Sequence, residues 1–160
     1  MPLEIERKYL VPDLGFTQNA RNSTITQGYL FSNSHSVFRV RISDDTATLT
    51  VKKKISDMER LEYEYPIPIE HAKELVIHFC ENRIIEKIRY LVDHEGKTWE
   101  IDEFLGANSG LIVAEIELND KNEKFSLPPW VGKEVTHDGR YINSNLVKHP
   151  YSQWETVKEK

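Results

Sequence analysis

A single cysteine, Cys80, is the entire thiol complement of this 160-residue chain. No internal disulfide can form, and no CxxC-type thiolate zinc site exists. That usage fits a reducing compartment. No long apolar run occurs. Glu4 places a charge within the first four residues and no apolar run follows, so no signal peptide is expected. No stretch approaches the ~18 apolar residues of a membrane-crossing helix. The expected location is the cytoplasm, without membrane contact. A GxxxxGKS/T loop is missing, which excludes a P-loop phosphate site. The six histidines show no HxH or HExxH spacing and read as surface or core residues. Positive charge is not in excess: 21 bases face 26 acids, a net charge of −5. That balance argues against nucleic acid as a partner.

What is present suits a folded domain. Apolar residues make up 39% of the chain, aromatics 10%, and the glycines and prolines are scattered. Disorder and a coiled coil both fit poorly. The length suggests one domain over residues 1–160, with a tail from about residue 148. The dominant hydrophobic period is two, which means strands. Strands are expected near 3–9, 24–31, 36–42, 47–54, 60–68, 82–94, 97–105 and 111–119. Turn residues separate several of them, at Ser43-Asp44-Asp45, His94-Glu95-Gly96 and Gly106 to Gly110. A helix is expected over 69–80, with Ala72, Leu75, Val76 and Phe79 as its apolar stripe. Short helices are expected over 131–136 and from Asp138 or Gly139 onward. Tyr151 to Lys160 reads as a terminal helix or a loose end. The fold class is α+β and mainly β, an antiparallel meander or barrel.

Alternate strand residues point to opposite faces. Sorting by parity gathers the charges onto one face. The acids there are Glu4, Glu6, Glu62, Glu64, Glu100, Asp102, Glu115 and Glu117, and the bases are Lys8, Arg39, Arg41, Lys52, Lys54, Arg60, Lys87 and Arg89. An ordinary wet sheet face explains any one of these strands. It explains the set less well. The third, fourth and sixth strands are purely basic and the seventh and eighth purely acidic, whereas a solvated sheet gains from opposite charges across strands. If the sheet closes into a barrel, the charges line its lumen. Buried ions must be paired or coordinate something. A polyanion would relieve the basic strands and a divalent cation the acidic ones. Magnesium and manganese favour oxygen ligands and bridge carboxylates to phosphates.

At this point the motifs resemble a known family. Glu4-Ile5-Glu6-Arg7-Lys8 matches the ExExK signature of the CYTH superfamily, the triphosphate tunnel metalloenzymes. The likeness continues through Gln27-Gly28-Tyr29, Arg39-Val40-Arg41, Leu49 to Lys52, Glu62-Tyr63-Glu64, Lys87 to Tyr90, Glu100-Ile101-Asp102 and Ala114 to Leu118. It ends at Glu134-Val135-Thr136 with Asp138, Arg140-Tyr141 and Asn143. ExExK alone is a weak signal, and the ordered series is a strong one. The chain looks most like the short bacterial members that hydrolyse inorganic triphosphate. That resemblance implies an eight-stranded antiparallel β-barrel forming a tunnel.

It also implies roles. Glu4, Glu6, Glu115 and Glu117 would bind the metal, magnesium or manganese. Asp102, with Glu100, would bind it through water or orient basic partners. Arg39, Arg41, Lys52, Lys87 and Arg89 would hold the triphosphate, with Glu62 and Glu64 steadying them. Lys8 would touch phosphate or lower the charge density between carboxylates. Lys54 and Arg60 fit the rim, and Arg140 a lid or phosphate contact at the mouth. Tyr29 would hydrogen-bond Lys8. Glu115, Glu117 and Asp102 are candidates for the general base, so Glu115, Glu117, Lys8 and Arg39 form the expected catalytic set. The rival readings are an adenylyl cyclase, a thiamine or nucleoside triphosphatase, and a polyphosphate-binding module without turnover. The expected partner is a small-molecule triphosphate. The apolar outer parity, with few helices to cover it, allows a homodimer.

Overall fold

The period-two alternation folds as read. A computed structural model describes residues 2–154. Its strands are β1 (Leu3–Leu10), β2 (Arg21–Ser32), β3 (Ser36–Ser43), β4 (Thr46–Lys54), β5 (Glu59–Pro66), β6 (Ile84–His94), β7 (Lys97–Phe104) and β8 (Ile112–Leu118). They close into an antiparallel barrel in the order β1-β5-β4-β3-β2-β6-β7-β8. Closure gives every strand a neighbour on both sides. Two-residue turns tie β3 to β4 and β6 to β7. Each turn needs a left-handed residue, supplied by Asp44 in the first and by Glu95 and Gly96 in the second. No helix among the described residues is long and apolar enough to cross a membrane.

The charged parity faces inward and the apolar parity outward, where other segments cover it. The helix α1 (Ile69–Leu75) packs Ala72 and Leu75 on Val40, Ala47 and Leu49. The expected helix over 69–80 does not run through: after Leu75 the chain widens into a π turn over Val76–Cys80. The wider turn rotates the stripe, so Phe79 comes out exposed. That turn lies against Gly28 of β2. A Cβ on Gly28 would meet Cys80 Sγ at 2.6 Å and Cys80 Cβ at 3.0 Å. Gly28→Ala is therefore expected to destabilise the fold by about 1–3 kcal/mol through overpacking. Adding Cys80→Ala should restore part of that loss, as a double-mutant cycle in urea would show.

The outer face of β7, β8 and β1 carries a second core. Trp99, Ile101, Ala114, Ile116, Ile5 and Tyr9 are buried there beneath Phe16, Phe125 and Trp130. On β4 and β5, by contrast, Val51, Tyr63 and Tyr65 stay exposed.

The stretch 131–136, expected as a helix, is extended instead. β1 pairs with β5 only at Leu3, Glu4 and Ile5, which leaves backbone groups of its second half in need of partners. The stretch supplies them: Leu10 N donates to Lys133 O, Gly132 N to Leu10 O, and Val135 N to Lys8 O, all at 2.7–2.8 Å. The chain then turns through Gly139–Tyr141 into helix α2 (Asn143–Lys148) and a last 3₁₀ turn at Tyr151–Gln153. Residues 155–160 of the expected terminal helix or loose end lie outside the described residues. Tyr141, Leu146, Tyr151 and Trp154 cluster with Leu10, Tyr29, Ile85, Phe104 and Val113. Those last five share the inward parity, so this cluster fills one end of the barrel with apolar packing.

Candidate active site

The lumen holds a cavity of about 110 Å³. Eight cationic side chains line it: Lys8, Arg39, Arg41, Lys52, Lys54, Arg60, Lys87 and Arg89, against the two carboxylates Glu6 and Glu115. Thus a chain of net charge −5 concentrates positive charge at one place. Strand parity brings these residues together, and closure of β1 on both β5 and β8 completes the ring.

The carboxylates gather on β1 and β8. Glu6 stands opposite Glu117 and Lys8 opposite Glu115 across the ladder. Glu115 lies 3.6 Å from Lys8. Burial works against its charge, but Lys8 and the neighbouring Arg89 and Lys87 outweigh that and hold it down at about 2. Glu6 behaves oppositely. Burial first, then Glu115 and Glu4, push its carboxyl up to about 8. Partial desolvation of the Glu117 carboxyl, with Glu4 and Glu62 nearby, raises it above its ordinary value. Glu4 reaches Lys52 Nζ at 3.0 Å, and Glu62 meets the same ammonium at 3.1 Å. Among the described residues no three acidic, histidine or cysteine side chains converge in ligating geometry.

Asp102 occupies a different place. It is buried, Arg89 grips both its oxygens at 2.8 and 2.9 Å, and Lys87 Nζ lies at 2.8 Å. Burial opposes its charge, yet Arg89 and Lys87 keep it far below the usual range. Glu100 adds a bond to Arg89 at 3.1 Å. Lys87 itself is lowered to about 7, chiefly by burial. Arg41 is lowered to about 10 by burial and by Arg39 and Arg89.

Arg39 is an incompletely satisfied cation. It is 5% exposed. Nη2 lies 3.4 Å from Thr50 Oγ1 and 3.9 Å from Glu64, and its buried Nε has no hydrogen-bond partner in the protein. A buried donor without an acceptor is costly. An oxyanion in the cavity would supply one.

Some expected residues fall elsewhere. Arg140 turns back onto Asp138 at 2.7 Å and lies 4.6 Å over the Trp154 ring, and it is not part of the cavity lining. Tyr29 cannot reach Lys8 across a ladder, because β2 pairs with β3 and β6. Its hydroxyl instead accepts from Gln27 Nε2 at 2.8 Å. Lys54 and Arg60, expected at the rim, both line the cavity. Lys54 pairs with Asp57 at 3.1 Å. Three neutral residues had no assigned role: Gln27, Thr50 and Asn143. Gln27 and Thr50 are fully buried. Asn143 takes a hydrogen bond from Lys87 Nζ at 2.8 Å.

Known proteins resemble this chain in sequence and fold. An inorganic triphosphatase of Acetivibrio thermocellus is 48% identical over 155 residues, covering 97% of this chain and 99% of that protein. One from Nitrosomonas europaea is 35% identical over 148 residues, covering 89% and 95%. A solved inorganic triphosphatase superposes with a TM-score of 0.66 at 32% identity, covering 90% of this chain and 93% of that one. The CYTH domain model matches residues 2–151. With its lumen of paired charges inside a closed eight-stranded barrel, the chain belongs to the CYTH family.

Proposed function

We propose that this protein hydrolyses inorganic triphosphate to pyrophosphate and orthophosphate with a divalent metal ion, Mg²⁺ or Mn²⁺. The observation that carries the reading is the lumen itself. Eight cations, one of them Arg39 with an unpartnered buried Nε, share the cavity with the carboxylates Glu6 of β1 and Glu115 of β8. Two near-full-length relatives named inorganic triphosphatase support it.

The donor set fits a hard cation. Carboxylate oxygens suit Mg²⁺ and Mn²⁺. Burial, then Glu115 and Glu4, raise Glu6 to about 8, and a divalent charge beside it would favour its ionised form. Glu4, Glu6, Glu115 and Glu117 would hold the ion. Asp102 is left out of the set because its oxygens are engaged by Arg89 and Lys87. When bound, the ion supplies charge neutralisation at the phosphate oxygens.

The chain's own residues do the rest. Arg39, Arg41, Lys52, Lys87 and Arg89 bind the polyanion and offset charge that builds on the leaving pyrophosphate. Arginine forks fit phosphate oxygens in pairs, and lysine acts as a movable point charge. Lys8 keeps Glu115 ionised and presents its ammonium to the cavity. Water attacks the terminal phosphorus in line, its O–P bond forms as the bridging P–O bond breaks, and a carboxylate takes the water's proton. Glu115 and Glu117 are the candidates for that last task.

Phosphate release from tripolyphosphate, beside ATP and thiamine triphosphate, with Mg²⁺, Mn²⁺ or EDTA, tests the reading. Fast metal-dependent release from tripolyphosphate with little from ATP is expected. Cyclic AMP and pyrophosphate from ATP would instead indicate a cyclase. Tight binding of tripolyphosphate without release would indicate a binding module.

A further inference from the structure

Two neutral amides connect the C-terminal helix to the cations of the lumen. Asn143 is the first residue of α2. Its Oδ1 accepts from Lys87 Nζ at 2.8 Å and from Gln27 Nε2 at 2.9 Å. Gln27 Oε1 in turn accepts from Arg41 Nε at 3.1 Å. The orientation of both amides follows from the chemistry of the cations. Lysine and arginine carry only donors. Arg41 must therefore meet the oxygen of Gln27, which turns its NH₂ toward Asn143. Lys87 must meet the oxygen of Asn143, which can then receive that NH₂ as well. The chain Arg41, Gln27, Asn143, Lys87 is consistent from end to end.

The same chain constrains where the cations point. The Lys87 ammonium has three donors. One goes to Asp102 at 2.8 Å and one to Asn143, so the third direction is fixed by the other two. Lys87 is 1% exposed and lines the cavity. Arg41 spends its Nε on Gln27, leaving the Nη fork for the cavity that it also lines. Asp102 alone would anchor the Lys87 charge but would leave the ammonium free to swing about that contact. Asn143 removes this freedom, and α2 holds Asn143 in place because Leu146 on the same helix is buried in the apolar end of the barrel.

We propose that Asn143 is a positioning residue, which with Gln27 sets the direction of the Lys87 and Arg41 donors toward the phosphate chain and so makes catalysis depend on docking of the C-terminal helix. The inference rests on the triphosphatase reading above. Asn143 acts through Lys87 and, by way of Gln27, through Arg41. A misplacement of about 1 Å in such a group can cost ~10²-fold in rate.

The test is a double-mutant cycle on the full chain, with tripolyphosphate and saturating Mg²⁺. Asn143→Ala is expected to lower kcat by ~10- to 100-fold with KM moved much less. Lys87→Met should lower kcat more. Asn143→Ala should slow the Lys87→Met background by clearly less than it slows wild type, since only the Arg41 branch through Gln27 is left to position. Asn143→Asp keeps both acceptor contacts. It should retain most of kcat while its added negative charge raises KM, and it serves as the deciding variant if Asn143→Ala folds poorly. Thermal unfolding of each variant accompanies the kinetics. Asn143→Ala at wild-type kcat would overturn the proposal, as would losses that multiply in the double variant, or Asn143→Asp losing as much kcat as Asn143→Ala. An inactive wild-type protein would overturn the triphosphatase reading itself, so the two failures are separable.

Discussion

Arg39→Ala is expected to lower kcat/KM for tripolyphosphate by ~10²- to 10³-fold, the scale reported for losing one preorganised donor at a developing charge. The expectation comes from how little the protein itself offers this side chain. It is buried, its closest hydroxyl partner lies at 3.4 Å and its nearest carboxylate at 3.9 Å. Nε has no acceptor. A cation held so loosely by its own protein is preorganised for something else. Stability should therefore move in the opposite sense to activity: the alanine variant should unfold at an equal or higher temperature than wild type when no polyanion is present. Tripolyphosphate should stabilise wild type more than the variant, because the ligand binds the native state through this group. Arg39→Lys keeps the charge but not the two-pronged donor, so it should recover only part of the loss. Steady-state kinetics together with thermal unfolding in the presence and absence of tripolyphosphate would check all three statements. Full turnover in Arg39→Ala would remove Arg39 from the site.

Much of this site was legible from strand parity. Sixteen charged residues alternate with apolar ones, and one closed barrel turns that alternation into an inside and an outside. The signs segregated by strand made a solvated face implausible before any geometry was known. The strand order was less legible. Nothing in the local sequence says that β1 pairs only three residues with β5, so nothing warned that residues 131–136 would be taken up as an extended partner of β1. The long-range need for backbone partners overrode a local helical pattern. The neutral residues were illegible for another reason. Gln27, Thr50 and Asn143 carry no charge to break or complete a pattern, and their roles appear only when β2, β4 and α2 converge. The pairing of Asp102 is similar. Parity put it in the lumen, but that Arg89 and Lys87 would take its oxygens depends on ladder register, which sets Arg89 opposite Asp102. Arg140 shows the limit of reading a basic residue near a predicted mouth: Asp138, two residues back, and the Trp154 ring hold it instead.

Glu6→Gln should separate activity from stability even more sharply. In the native protein, burial and the neighbouring Glu115 and Glu4 raise the Glu6 carboxyl from 4.5 to about 8. Between those two values the native state keeps a proton that the unfolded chain has lost. Stability of the metal-free protein must then fall as pH rises through that window. Glutamine cannot ionise, so this contribution disappears in the variant. Metal-free Glu6→Gln should match wild type at about pH 5 and exceed it at about pH 9, by an amount on the order of a few kcal/mol. Divalent metal reverses the comparison. Binding it requires the ionised carboxylate, so the apparent Mg²⁺ affinity of wild type should climb with pH up to about 8 and level off above it, with a proton released on binding. In the variant that climb should be lost, and turnover should fall by ~10³-fold or more, as expected when several kcal/mol of metal-derived stabilisation are removed. Thermal unfolding in EDTA across this pH range and metal titrations of the same samples provide the two readouts. A variant no more stable than wild type at alkaline pH would mean that Glu6 is not crowded by its neighbours. A variant that kept its Mg²⁺ affinity and its pH dependence would move the metal away from β1.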